Sequence, residues 1–197
     1  MPPRRVLAAF LIAFGVRAAF AEEQVKVNGS NTRYATSIVS QIGKQPVKLS
    51  LTGAALRKKY GFRVYTIASY VQEGTKVRDA EGLAKSGAVK ILHMVFEREV
   101  DGATIAGSFR DSIALNHPAP AFASELVKLE QYFVGHPVRR GDHVWLTSVP
   151  GLGLVCQISG QTGLVIENPS FALAAWEVYL GRRYLDVAVK SGLTSRL

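Results

Sequence analysis

LTGAALRKKYGFRVYTIASYVQ, residues 51–72, carries the clearest strand pattern of the chain. From residue 62 onward, one parity holds Phe62, Val64, Thr66, Ala68 and Tyr70, and the other holds Arg63, Tyr65, Ile67, Ser69 and Val71. Alternation with period two in a β-branched and aromatic run marks a strand, because successive side chains on an extended backbone face opposite ways. At about 3.3 Å per residue, residues 62–72 extend roughly 36 Å, enough to cross a whole domain. Val47, Leu49 and Leu51, in step with one another, supply the partner strand. Arg57-Lys58-Lys59-Tyr60-Gly61 supplies the turn, where Gly61 provides a positive φ. The first parity reads as a clean core face. The second mixes apolar bodies with polar tips, the composition of a pocket lining.

On the N-terminal side of this hairpin, residues 22–45 are polar and weakly patterned. Asn28-Gly29-Ser30-Asn31 marks a turn, and residues 36–42 fit either a short strand or a helix. On the C-terminal side, a polar connection with one or two helical turns at 79–85 leads to a buried strand over 88–95. A helix is expected over 104–115, with Ile105, Phe109 and Ile113 at intervals of four; His117-Pro118-Ala119-Pro120 stops it. A second helix over 121–133 carries the stripe Phe122, Leu126, Leu129 and Phe133. Strands follow at 142–148, 153–159 and 163–166. Asn168 before Pro169 is a helix start signal, and a last helix is expected over 185–192. Strands, helices, strands, helices in that order predict an α+β domain over residues 22–197. Its architecture is an antiparallel sheet with helices gathered on one face.

The chain has 197 residues, with 24 Lys and Arg against 15 Asp and Glu. Residues 1–21 read as a signal peptide: Arg4-Arg5, an apolar run over 6–16, then Ala19-Phe20-Ala21 as the cleavage signal. The apolar run is too short for a spanning helix, which needs about twenty residues. The expected location is therefore periplasmic or secreted, after cleavage following Ala21. Cleavage removes three arginines and leaves 21 basic residues, a net charge of +6. The basic residues are scattered in short clusters, 57–59, 139–140 and 182–183. That scatter argues against nucleic acid and leaves solvated turns, or attraction toward anionic ligands and lipid headgroups at a peripheral membrane contact. The single cysteine, Cys156, has no internal disulfide partner and alternates with Leu154 and Ile158 as a buried strand residue.

No cofactor or metal is expected. Gly151-Leu152-Gly153 begins like a dinucleotide loop, but Cys156 holds the third glycine position and a strand follows where a helix is required. The histidines at 93, 117, 136 and 143 lack the pairings of a zinc site. Gly107-Ser108 lacks the nucleophile elbow. Arg57 and Tyr65 remain. They read either as an exposed turn arginine and a half-buried strand tyrosine, or as a pair pointing into the cleft between sheet and helices. In the second case the guanidinium fork matches a carboxylate or phenolate, and the phenol adds a donor while its ring packs on an apolar ligand.

Gly53-Ala-Ala-Leu-Arg57 with the strand that follows, and Gly163-Leu-Val-Ile-Glu-Asn168 leading into an apolar helix, resemble two segments of the chalcone isomerase family. The resemblance runs over residues 48–197. In the plant enzymes of that family, the phenolate of a 2′-hydroxychalcone attacks the conjugated double bond while an arginine holds the anion. Arg57 matches that arginine. The strand threonine of the family falls on Tyr65, beside Thr66, the helix asparagine near Ser108, and the late serine or threonine near Tyr184. No tyrosine matches near Asp101. An arginine with a tyrosine instead resembles the non-catalytic branch, which holds a fatty-acid carboxylate with these two residue types. The resemblance thus implies a small amphipathic ligand, fatty acid or phenolic, with Arg57, Tyr65, Ser108 and Tyr184 as candidate ligand-binding residues. An isomerase of the intramolecular lyase type is the first alternative, and an interaction module with an empty core the second.

Overall fold

A computed structural model describes residues 16–17 and 23–197. The predicted signal peptide lies outside the described residues except for Val16–Arg17 (β1), which pairs antiparallel with β4 (Ser37–Ile42) at one sheet edge. The main sheet runs in the order β1, β4, β5 (Gln45–Lys59), β6 (Phe62–Gln72), β7 (Lys90–Phe96), β8 (His143–Val149), β9 (Gly153–Ile158) and β10 (Leu164–Ile166). Every neighbouring pair is antiparallel. A separate hairpin, β2 (Gln24–Lys26) with β3 (Arg33–Ala35), turns at Asn28 and Gly29 as the sequence predicts.

The long hairpin differs from its sequence reading at the tip. β5 continues through Arg57, Lys58 and Lys59, and only Tyr60 and Gly61 make the turn, with Lys59 opposite Phe62. Arg57 is therefore a strand residue with a defined face. The alternation in β6 also breaks once. Arg57 pairs with Tyr65 but Lys58 with Arg63, so Val64 is the extra residue of a β-bulge. A bulge sets two consecutive residues against one partner, which turns Val64 and Tyr65 toward the same side. Beyond it, Ile67 and Val71 join the core under the helices, while Ala68 and Tyr70 join a second core on the opposite face.

That second core is the other departure. The helices do gather on one face, but β2 and β3 cover part of the other. Val27 and Tyr34, each 2% exposed, pack there with Leu49, Leu51 and Ile91. Few apolar residues in this segment carry the cover, so the polar composition of residues 22–45 hid their role.

The helical cover is built around α4 (Pro169–Leu180). Asn168 caps it, accepting from the N–H groups of Ser170 and Phe171, with Pro169 in the first turn. Phe171, Trp176 and Leu180 are fully buried, and apolar residues surround the whole helix, as a central helix requires. α2 (Gly102–Ala114) and α3 (Ala123–Gly135) meet through the stacked rings of Phe109 and Phe133. α1 (Ala80–Lys85) and α5 (Val187–Leu193) complete the layer. α5 lies directly on β5 at Gly53. There φ is +154°, and a Cβ would stand 2.1 Å from the Gly192 carbonyl oxygen, so only glycine lets helix and strand approach this closely.

Candidate functional site

Arg57, Tyr65 and Phe96 lie in register across β5, β6 and β7, on the face that the helices cover. Cross-strand partners project side by side from the same face of a sheet, so this row puts a guanidinium, a phenol and a phenyl ring together. They form one end of a cavity of about 260 Å³ between the sheet and α2, α3 and α4. Its walls are mostly apolar, with Met94, Ile105, Phe109, Phe133, Val144 and Val178 among them. Polar side chains are few: Ser108, Thr104 and Ser112 from α2, and Tyr179 from α4. Lys59 and Asp111, both exposed, mark the mouth.

Arg57 is held in place. Its Nη1 donates to the Asp186 carboxylate at 2.5 Å and to the Lys58 carbonyl at 2.6 Å, and its side chain is only 15% exposed. Asp186 works at both oxygens. Oδ1 caps α5 by accepting from the N–H groups of Ala188 and Val189, and Oδ2 takes the guanidinium. A planar fork has five N–H donors, and Asp186 and the carbonyl engage Nη1 alone, so donors remain for a second carboxylate.

Tyr65 meets Tyr179 hydroxyl to hydroxyl at 3.3 Å, and the Tyr179 hydroxyl also donates to Met94 Sδ at 3.9 Å. Burial raises the pKa of Tyr65, partly offset by its hydrogen bond to Tyr179 and by the charge of Arg57. Burial, then the neighbouring Tyr65, raises that of Tyr179 well above its ordinary value. Both phenols are therefore protonated near neutral pH; an anion would take a donor by turning an O–H away from its present partner, Tyr179 or Met94, and neither phenol is suited to removing a proton.

Of the residues the sequence singles out, Arg57, Tyr65 and Ser108 line this cavity together. Tyr184 does not. It is 37% exposed, with the Lys190 ammonium 4.4 Å from its ring centre, and its neighbour Leu185 turns inward to the cavity instead. Sequence reasoning missed Tyr179 and Asp186. Tyr179 carries a polar tip in an otherwise apolar helix, the available signal; Asp186 shows in sequence as a helix cap, but its second bond depends on the fold.

An antiparallel sheet and a helical layer thus enclose an apolar cavity with an arginine and two tyrosines at one end. The chain belongs to the chalcone isomerase-like family, whose model matches residues 24–194. Among solved structures it is similar to a fatty-acid binding protein of Arabidopsis thaliana, at a TM-score of 0.63 and 13% identity, over 88% of this chain and 96% of that one. No curated protein sequence matches it significantly.

Proposed function

We propose that this protein binds a small amphipathic anion such as a fatty acid without transforming it. The carboxylate sits on Arg57 and Tyr65, and the apolar tail runs past Phe96, Phe109 and Phe133. The observation that carries this reading is a half-buried guanidinium and two protonated phenols converging on one end of an apolar cavity. At about 260 Å³ the cavity lies near the lower end of ligand pockets, about 300 Å³, which favours one short or medium acyl chain or a small phenolic. The solved fatty-acid binding relative supports the same ligand class. Export is part of the proposal, on the strength of the basic, apolar and small-residue pattern of residues 1–21.

Solvent extraction of the purified protein followed by mass spectrometry, with titration of fatty acids into stripped protein, tests the reading. Co-purifying fatty acid and saturable binding are expected; an empty extract with no binding overturns it in favour of an interaction module. The isomerase alternative is tested by following a chalcone's absorbance with the protein present, where no acceleration over buffer is expected.

A further inference from the structure

The two aromatic rings at the tip of the long hairpin, Tyr60 and Phe62, have no role in the core, in the ion pairs that tie the helices down, or in the lining of the cavity. Yet the tip is unusual. Tyr60 and Gly61 close it with φ of 52° and 81°, the left-handed pair of a primed two-residue turn, whose first position normally goes to asparagine, aspartate or glycine. A bulky residue in that conformation is strained, and strain is retained where something outside the local backbone repays it. Inside the molecule Tyr60 has almost nothing to gain, being 89% exposed. Phe62, two residues on, is 65% exposed.

A cation lies against each ring. Lys59 Nζ lies 5.6 Å from the Tyr60 ring centre, and the Arg98 guanidinium 5.7 Å from that of Phe62. Lys58 and Arg63 are exposed beside them. The nearby acids are Glu97 and Glu99; Glu97 is engaged by the Ser30 hydroxyl and lies 4.0 Å from Arg63. Two projecting aromatics in a ring of Lys and Arg have the chemistry of a lipid-water interface. Aromatic bodies enter at headgroup depth while cations meet anionic headgroups. No helix among the described residues is long and apolar enough to cross a membrane, so the contact is a surface one.

We infer that the β5–β6 hairpin tip docks the protein on an anionic lipid surface through Tyr60 and Phe62, with Lys58, Lys59, Arg63 and Arg98 as the cationic collar. The placement has a consequence for the cavity. Lys59 stands opposite Phe62 on the cavity side and itself lines the mouth, two residues from Arg57. Docking therefore sets the mouth against the headgroup layer, where an amphipathic anion could pass between bilayer and protein. That transfer step rests on the fatty-acid reading; the docking itself does not.

Flotation of the protein as it stands after the expected cleavage, residues 22–197, with vesicles tests the docking, using pure phosphatidylcholine in one arm and equal parts phosphatidylcholine and phosphatidylglycerol in the other. The wild type is expected to float with the anionic vesicles and to lose binding in pure phosphatidylcholine or at high salt. The variant Tyr60→Asn with Phe62→Thr places residues suited to the turn and to the strand, so it keeps the fold. It is expected to bind anionic vesicles about tenfold more weakly or worse, through lost apolar burial. Fatty-acid titration and thermal melting of this variant in solution should match the wild type, which separates a failure of docking from a failure of the pocket. Wild-type protein that does not float, or a variant that floats equally well, overturns the inference. So does a concentration-dependent dimer that the variant abolishes without any vesicle binding, which would assign the tip to a second copy of the chain.

Discussion

Replacing Asp186 by asparagine asks whether Arg57 is a ligand group or only a structural tie. The asparagine keeps an oxygen to cap α5, the role that Asp186 Oδ1 fills toward Ala188 and Val189. It replaces Oδ2, the oxygen 2.5 Å from Arg57 Nη1, by an amide group that cannot accept from the guanidinium. In the wild type a ligand carboxylate must share one guanidinium with the Asp186 carboxylate. Two carboxylates about 5 Å apart, at an effective dielectric of about 20–40, repel by roughly 1.7–3.3 kcal/mol. Some of that gain is lost because Asp186 also orients the arginine, leaving an expected net gain of about 1–2 kcal/mol, or roughly tenfold tighter binding. The half-buried ion pair, 15% and 21% exposed, is expected to cost about 1 kcal/mol of stability when removed. Calorimetric titration of a medium-chain fatty acid into stripped protein measures the first effect, and thermal melting the second. Arg57→Ala should act in the opposite direction on affinity, losing about 1.5–3 kcal/mol as a charge-assisted contact disappears. Unchanged or weaker binding in a folded Asp186→Asn variant, together with unchanged binding in Arg57→Ala, would refute the assignment and leave the arginine as a tie between β5 and α5.

Other tests address separate parts of the molecule. Tyr65→Phe removes one donor and the hydroxyl contact to Tyr179, and is expected to weaken fatty-acid binding by about 1 kcal/mol without changing the melting profile greatly. Gly53→Ala drives a Cβ against the Gly192 carbonyl in a backbone conformation that alanine avoids. Denaturant unfolding should show a loss of about 3 kcal/mol or more, and near-wild-type stability would contradict the packing of α5 on β5. Burial, then the neighbouring His143, pushes the pKa of His93 down to about 3 from an ordinary 6.5. Below about pH 6.5 the unfolded chain takes up a proton that folded His93 refuses, so stability falls with falling pH until about pH 3, by about 1.4 kcal/mol per unit. His93→Phe should flatten this dependence between about pH 6 and 4 in urea titrations, and an unaltered slope there would contradict the burial of His93 as a neutral ring.

The antiparallel sheet with helices on one face was legible in the chain before folding is considered, though the β2–β3 cover of the other face was not. Period-two runs at 47–52 and 62–72, the apolar run of a buried strand at 88–95, helically spaced apolar stripes at 105–113 and 122–133, and Asn168-Pro169 are local signals, because each needs only the geometry of one segment. The sequence also pointed to Arg57 and Tyr65 as candidates. What it could not settle was that they stand side by side. A regular two-residue turn at 60–61 sets Lys59 against Phe62 and would set Arg57 against Val64. The bulge at Val64 shifts the register so that Tyr65 takes that place. A bulge is stabilised by what packs on both faces of the strand, here β2 and β3 on one side and the helices on the other, and so leaves little local trace. The same holds for Tyr179 and Asp186, brought to the arginine from more than a hundred residues away by the docking of α4 and α5. Alternation along a chain fixes which residues can share a face. Which of them meet is a property of packing, where many contacts distant in sequence act at once.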